Sequence, residues 1–170
     1  FAGHSNALLQ PSTGKVLISG VETADRTNHT RIRSKGGMVF QNPEDQIVST
    51  IIEEDCAFGP ENLGVPTEEI RERVKRSLQT VEMYEQRMRP PHLLSAGQMQ
   101  RVALAGVLAM QPNCVIFDES TAMLDPRGRL EVLNTMRSLH ERGITVLFIS
   151  HFMEEAARAE RILVFNRGRI

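Results

Sequence analysis

Four polar residues, each at or just after the end of a short apolar run, could act together on a phosphoanhydride. They are Gln41, Asp118, Glu119 and His151. In open parallel sheets ligands bind beyond the carboxyl ends of the strands, so neighbouring strands would bring these side chains into one crevice. The reaction needs a metal ion that neutralises charge, a group that orients or deprotonates water, and donors to the γ-phosphate. Asp118 suits a ligand of Mg²⁺ and Glu119 suits the base. His151 can donate to the γ-phosphate, and Gln41 can sense the metal and the water.

Two nearby segments extend this set. Ser95, Gly97 and Gln98 belong to a run of small residues that opens a helix, and a helix N-terminus can hold phosphate. Residues 121–126 form a turn that carries another acid, Asp125. Each signal also has a plainer interpretation: an ordinary helix cap, an ordinary strand end, or a structural histidine or glutamine. Their order and joint spacing favour nucleotide hydrolysis.

Composition is that of an ordinary globular domain. The 170 residues are 41% hydrophobic and 24% charged, with a net charge of -1 that offers no electrostatic footprint for nucleic acid. Cys56 and Cys114 lie far apart in the sequence, which favours two core residues over a disulfide or a metal pair. No apolar run approaches the roughly 18 residues that span a bilayer, so we expect any membrane role to be peripheral.

Strands that alternate with helices must position the candidate residues. Apolar runs predict strands at 15–19, 38–40, 114–117, 144–149 and 162–165. Periodicity predicts helices at 67–81, 84–88, 98–110, 128–142 and 152–159. Gly36 and Gly37 are expected to punctuate the chain before the second strand, and residues 21–35 to form a surface connection or a short helix. The pattern predicts an α/β fold whose parallel sheet is covered by helices on both faces.

Residues 42–93 are predicted to form a helical insert between two parts of the α/β core, residues 1–41 and 94–170. Thr67 is the expected cap of the main helix of the insert. The predicted buried face of that helix is Ile70, Val74, Leu78 and Val81. The predicted buried face of the helix at 128–142 is Leu130, Leu133, Met136 and Leu139, with Gly143 as its left-handed cap.

Motifs at these positions resemble those of a known family. LSAGQ, which contains Ser95, resembles the signature motif of ATP-binding cassette (ABC) ATPases, usually LSGGQ. CVIFDE is similar to their Walker B strand, AMLD to the D-loop, Gln41 to the Q-loop glutamine and His151 to the switch histidine. The phrases FQNPEDQIVST, EEDCAFGPENLGVP, RVALAGVLAMQP and FDESTAMLDPRGR resemble in particular the ATPase subunits of energy-coupling factor transporters, the cobalt and vitamin uptake type.

The resemblance implies a P-loop NTPase-like sheet with a helical subdomain and implies that the intact protein is an ATPase that uses ATP and Mg²⁺. In the family's pattern Asp118 binds Mg²⁺, and Glu119 is the catalytic base. Gln41 and His151 sense the metal and the γ-phosphate.

The resemblance also implies partners. Two such subunits pair head to tail at the cytoplasmic face of the cell membrane, on a membrane scaffold subunit, and a separate membrane subunit captures the vitamin or transition-metal ion. Ser95, Gly97 and Gln98 would act on nucleotide bound to the partner ATPase, and Asp125 would lie at the seam between the two. Residues 42–59 would face the scaffold, and no nucleic acid is expected as a partner.

Three departures qualify the resemblance. No GxxxxGK[ST] occurs in the sequence, and its first nine residues resemble the helix that follows that motif. We therefore expect the phosphate cradle to lie upstream in a longer parent, a regulatory portion to follow downstream, and the 170-residue polypeptide alone to be inactive. Ala96 replaces a signature glycine, which is tolerable unless that position needs a positive φ. Ser120 stands where many ABC ATPases have proline, and we expect no loss of function from this difference.

Two alternatives stay open at this point. One is a non-transport ABC ATPase. A basic face or a coiled-coil insertion would indicate this class, and the sequence shows neither. The other is an interaction module that lacks the cradle and pairs with an active partner. The presence of Glu119 and His151 speaks against that module, because a degenerate site has no physical need of them.

Overall fold

The structure, a computed structural model, describes residues 1–169. Its helices are α1 (Ala2–Ser5), α2 (His29–Lys35), α3 (Ile52–Asn62), α4 (Thr67–Thr80), α5 (Ala96–Ala109), α6 (Pro126–Glu141) and α7 (Met153–Ala156). Its strands are β1 (Leu17–Ile18), β2 (Val21–Glu22), β3 (Gly36–Val39), β4 (Cys114–Asp118) and β5 (Thr145–Ile149). Ile170, the last residue of the predicted third region, lies outside the described residues.

The central sheet has the strand order β3-β4-β5, and both pairs are parallel. In this register Val39 lies opposite Phe117, and Phe117 lies opposite Phe148. The predicted α/β fold with a parallel sheet is confirmed. All three strands end at the same edge of the sheet, so the residues that follow them are neighbours.

Helices flank the two faces of this sheet unequally. Val39, Val115 and Phe117 belong to the main core with α5 and α6. Met38 and Ile116, which alternate with them, belong to a smaller cluster that includes a residue of α1. Since α5 contacts both β3 and the helices α3 and α4, it is buried along most of its length, as its apolar sequence predicts.

Two glycines lie inside β3, so the prediction that Gly36 and Gly37 precede the strand is wrong. The strand runs from Gly36 to Val39. A Cβ atom added to Gly37 would overlap the Val107 Cγ1 methyl of α5. The glycine therefore permits close packing of α5 on β3, the strand that Gln41 follows.

The segment 42–93 contains the helices α3 and α4 and no strand. The four residues of the expected buried face are all buried: Ile70, Val74 and Leu78 lie in α4, and Val81 is its C-cap. The expected cap is wrong, because the helix begins at Thr67 itself, with Pro66 in the N-cap position and no side-chain hydrogen bond. Helix α3 was not predicted. Pro60 lies within α3, and this residue type argues against a helix interior.

The amino-terminal strand prediction was only partly right. Residues 15–19 contain just the two-residue β1, which pairs antiparallel with β2, a strand that was not predicted. Ser19 and Gly20 both have positive φ angles, of 51° and 78°. Positive φ at both central residues is typical of the tight turns that join twisted hairpin strands. A Ser-Gly pair between apolar residues was the available signal.

The carboxyl-terminal predictions failed most clearly. Residues 162–165 form no strand, and their side chains are exposed. They pair with none of the described strands, and an apolar run cannot be a strand without a partner for its backbone groups. The helix predicted at 152–159 is reduced to α7, with four residues.

The helix predicted at 84–88 is also shorter in the structure: these residues hold only a 3₁₀ turn, Tyr84–Gln86.

One side chain of α6 also departs from its prediction. Leu130 is exposed, whereas Val132 joins Leu133, Met136 and Leu139 in the buried face. Gly143, with a φ of 87°, follows the helix as predicted.

Both cysteines are free thiols within the folded part of the chain. Cys56 lies in the main core, and Cys114 packs against the smaller cluster. Burial raises the pKa of both thiols above the usual value. Among the described residues no helix is both long enough and apolar enough to cross a bilayer.

Candidate functional site

The carboxyl edge of the sheet carries an open groove of about 530 Å³. Gln41, which follows β3, and Asp118, the last residue of β4, both line it. Ile149, the last residue of β5, lies opposite Asp118 in the sheet register and lines the groove as well. The parallel sheet thus brings two of the predicted side chains to one concave surface.

Gln41 is held at this edge by two other glutamines that the sequence did not single out. The Phe40 N–H donates to Gln46 Oε1 at 3.1 Å, and the Phe40 carbonyl accepts from Gln100 Nε2 at 2.9 Å. Gln46 Nε2 also donates to the Ala103 carbonyl in α5, at 3.3 Å. The backbone just before Gln41 is therefore fastened to α5. Gln100 is almost fully buried, and no local pattern marks it, because Gln98 and Arg101 lie close to it in the sequence.

Glu119 has a strained backbone. Its φ is 49°, a left-handed conformation that costs a side-chain-bearing residue about 1–2 kcal/mol. The strand pairing continues through its N–H, which donates to the Ile149 carbonyl at 3.1 Å, while its own carbonyl accepts from Ala122 N at 3.0 Å. Strain of this kind clusters at functional sites, where the surrounding structure enforces it. Five other non-glycine residues among 1–169 also have a positive φ, so the role of Glu119 as a catalytic residue stays a prediction.

The Glu119 carboxylate lies beside the predicted histidine. Glu119 Oε2 is 3.6 Å from His151 Nδ1, and the two side chains are 38% and 59% exposed. The His151 ring packs on Phe152, with 4.2 Å between the ring centroids. A carboxylate and an imidazole at this separation can both reach one water molecule or one phosphate oxygen.

A divalent cation fits the donors at the groove. Asp118 supplies carboxylate oxygens and Gln41 an amide oxygen, which are ligands that Mg²⁺ accepts. In residues 1–169 no cluster of three or more His, Cys, Asp or Glu side chains could hold a metal by itself. Mg²⁺ is commonly held by one or two protein oxygens together with substrate phosphates and water.

At the start of α5 the candidate side chains make hydrogen bonds that cap the helix. Ser95 and Gln98 form a capping box: Ser95 Oγ accepts from Gln98 N at 3.3 Å, and Gln98 Oε1 accepts from Ser95 N at 3.0 Å. The plain helix-cap interpretation is thus realised. Ala96 is the first residue of the helix and is not among the residues with positive φ, so the substitution for glycine introduces no strain.

The starts of α5 and α6 touch through glycines. A Cβ atom on Gly97 would lie 3.5 Å from the Gly128 Cα, and Gly97 is buried there. Asp125 caps α6 by accepting from Gly128 N at 3.2 Å. Ser95 and Asp125 are exposed. The two helix starts therefore form one surface that a partner could contact.

Comparison with known proteins agrees with this geometry. The ABC transporter family profile matches residues 5–122. The chain is 60% identical over 168 residues to the energy-coupling factor transporter ATP-binding protein EcfA1 of Clostridium novyi (strain NT), covering 98% of this chain and 60% of that protein. The chain thus spans about three fifths of the length of the curated relatives it matches.

Solved structures of ABC cassettes share the fold. One is cbiO1 from Clostridium perfringens, described as part of the ABC transporter complex cbiONQ; it has a TM-score of 0.80 and 36% identity, covering 89% of this chain and 61% of that one. Another is the dimeric post-hydrolysis state of the ATP-binding cassette MJ0796 bound to ADP and Pi. It has a TM-score of 0.86 and 29% identity, covering 99% of this chain and 76% of that one.

Proposed function

This chain belongs to the ABC transporter family, and from that premise we propose that it is part of the ATP-binding and ATP-hydrolysing subunit of an energy-coupling factor importer. The intact protein powers the uptake of a vitamin or a transition-metal ion through membrane partner subunits. The observation that carries the catalytic part is the meeting of Glu119 and His151 beside the groove that Gln41 and Asp118 line. The identity to proteins named EcfA1 over nearly all of this chain supports the importer class.

In this proposal the groove takes ATP and Mg²⁺. Asp118 and Gln41 hold and sense the metal ion, which when bound neutralises charge on the phosphates. Glu119 accepts the proton of the attacking water, and His151 donates a hydrogen bond to the γ-phosphate. The separation of 3.6 Å between their side chains supports this division, because both groups can reach the same water.

A second ATPase subunit completes the site. Ser95, Gly97 and Gln98 act on the nucleotide bound to a partner that is related head to tail, and Asp125 lies at the seam. The exposure of Ser95 and Asp125 on one surface supports this arrangement, as does the dimeric state of the related cassette. The backbone N–H groups at the start of a 14-residue helix suit an anion such as the γ-phosphate.

The helical segment contacts the membrane scaffold at the cytoplasmic face of the membrane. Residues 42–59 contain exposed apolar side chains, Val48 and Phe58. Met88 and Leu93 extend the exposed apolar surface of the helical segment. Side chains of this kind suit a protein interface, because their burial against a partner is favourable.

The catalytic proposal is tested with Glu119→Gln in the intact protein. The amide keeps the size of the side chain but cannot take a proton, so we expect ATP hydrolysis to fall by about 10²–10⁴-fold. ATP-driven dimerisation, measured by light scattering, should persist. Glu154→Gln is the control, because this neighbouring carboxylate is exposed on α7. Hydrolysis by Glu119→Gln at the parent rate would show that Glu119 is not the base.

The importer proposal is tested by purification from the native host. The tagged intact protein, extracted with mild detergent, should bring with it one scaffold subunit and one small substrate-binding subunit, both integral to the membrane. Recovery of the ATPase without any membrane subunit would contradict the importer assignment and leave the catalytic test standing.

A further inference from the structure

A buried carboxylate links the two loops that carry the candidate catalytic pair. Glu155 of α7 is only 3% exposed. Its Oε2 accepts hydrogen bonds from Ser150 Oγ at 2.6 Å and from Thr121 Oγ1 at 3.0 Å. Ser150 immediately precedes His151, and Thr121 follows Glu119 by two residues. One side chain therefore holds both loops.

An arginine compensates the buried charge. Arg129 of α6 has its Nε 3.6 Å from Glu155 Oε1, which makes an ion pair and not a hydrogen bond; neither atom has a hydrogen-bond partner among residues 1–169. The Arg129 guanidinium also lies over the Phe152 ring, 4.1 Å from its centroid. A buried carboxylate is tolerated only when cations and donors surround it, and this one has a cation and two hydroxyls.

The same contacts define the backbone around His151. The Phe152 N–H donates to Ser150 Oγ at 2.9 Å, so the residues on both sides of His151 are joined to each other and, through Ser150, to Glu155. The Phe152 ring, which contacts the His151 ring, is itself covered by Arg129. Movement of Glu155 would therefore shift the imidazole relative to the Glu119 loop.

We propose that Glu155 is a positioning residue that sets the separation between the Glu119 carboxylate and the His151 imidazole. Its carboxylate is almost fully buried, and it acts through Thr121 and Ser150. The consequence for catalysis rests on the proposed function. A misplacement of about 1 Å can reduce a rate by about 10²-fold, so the hydrolytic step depends on Glu155 more strongly than nucleotide affinity does.

The first measurement needs no ATPase activity. In the intact protein the NMR signal of the His151 ring should shift when Glu119 is changed to Gln, because the side chains lie 3.6 Å apart. In a Glu155→Ala background this response should be lost. Thr121→Val removes one hydrogen bond to Glu155, and Ser150→Ala removes one to Glu155 and one from Phe152 N. Both variants leave the buried ion pair, so they should weaken the response even if Glu155→Ala fails to fold. Glu154→Ala is the matched control and should preserve it.

The second measurement is steady-state ATP hydrolysis by the same variants. In the Glu155→Ala, Thr121→Val and Ser150→Ala variants we expect kcat to fall by about tenfold to 10²-fold, with KM for ATP changed by less than about twofold. Glu155→Gln should recover part of the loss because it keeps a hydrogen-bond acceptor. Survival of the His151 response in the Thr121, Ser150 and Glu155 variants overturns the positioning role. If the variants lose the His151 response and the parent protein hydrolyses no ATP, the positioning role is supported and the proposed function is overturned.

Discussion

The end of β4 and the start of α5 hold their candidate side chains in opposite states. Glu119 has a strained backbone, and its carboxylate lies 3.6 Å from His151 Nδ1. Ser95 and Gln98 begin a regular helix, and each satisfies a backbone N–H of the other. The backbone conformation at Glu119 lowers the stability of the fold, whereas the capped start of α5 is stabilised by its own local hydrogen bonds.

The difference shows two ways in which a chain can present polar groups to a ligand. At the strand end, tertiary contacts impose the geometry, and the side chain stays free for chemistry. At the helix start, the side chains serve the helix, and what remains for a ligand is the exposed N-terminus. A ligand that recruits Ser95 must compete with its capping bond, whose loss costs about 0.5–2 kcal/mol.

The largest expected effect concerns Glu119, where two variants distinguish the effect of backbone strain on stability from the effect of the carboxylate on ATP hydrolysis. Glu119→Gly and Glu119→Ala both remove the carboxylate, so in the intact protein both should lose about 10²–10⁴-fold in hydrolysis. Only glycine also relieves the positive φ, so it should be more stable than the alanine variant by about 1 kcal/mol. Urea unfolding of the two variants measures the difference. Equal stability would mean that the 49° φ stores no strain.

The next effect separates capping from ligand binding at Ser95. Asp is as good an N-cap as Ser, so Ser95→Asp should keep the stability of the protein, whereas Ser95→Ala should lose about 1 kcal/mol. If Ser95 faces the γ-phosphate of a partner, the new carboxylate should reduce hydrolysis by about tenfold or more, through like-charge repulsion. Thermal unfolding and ATPase assays test both parts. Full activity of Ser95→Asp would confine Ser95 to the helix cap.

The smallest effect concerns the contact between the two helix starts. A Cβ atom on Gly128 would lie 2.8 Å from Asp125 Oδ1, so Gly128→Ala should displace the cap of α6 and cost about 1 kcal/mol. On Gly97 the new atom would be 3.5 Å from the Gly128 Cα, which is ordinary contact. Gly97→Ala should therefore destabilise less in a urea titration. The reverse order would show that α5, and not the Asp125 cap, limits this contact.

The elements that were predicted correctly have strong local signals. β4 and β5 are near-continuous apolar runs, and α4 has a face of apolar residues at helical spacing. The errors occurred where local signals mislead. Gly36 and Gly37 are typical of a turn but lie in a strand that packs closely on α5, and residues 162–165 are apolar but have no described strand beside them. Tertiary partners decide such cases, and a local pattern does not contain them.

The amino-acid sequence by itself determined the α/β class, the polar residues that follow three strands and the helix start at Ser95. Each of these depends on residue type and short-range spacing. Only the tertiary structure decided that Glu119 is strained, that it lies beside His151, and that Glu155 is buried between their loops. Glu155 looks like any surface residue of a short polar helix in the sequence. Its burial arises from contacts with Thr121 and Arg129, and such long-range contacts exist only once the chain has folded.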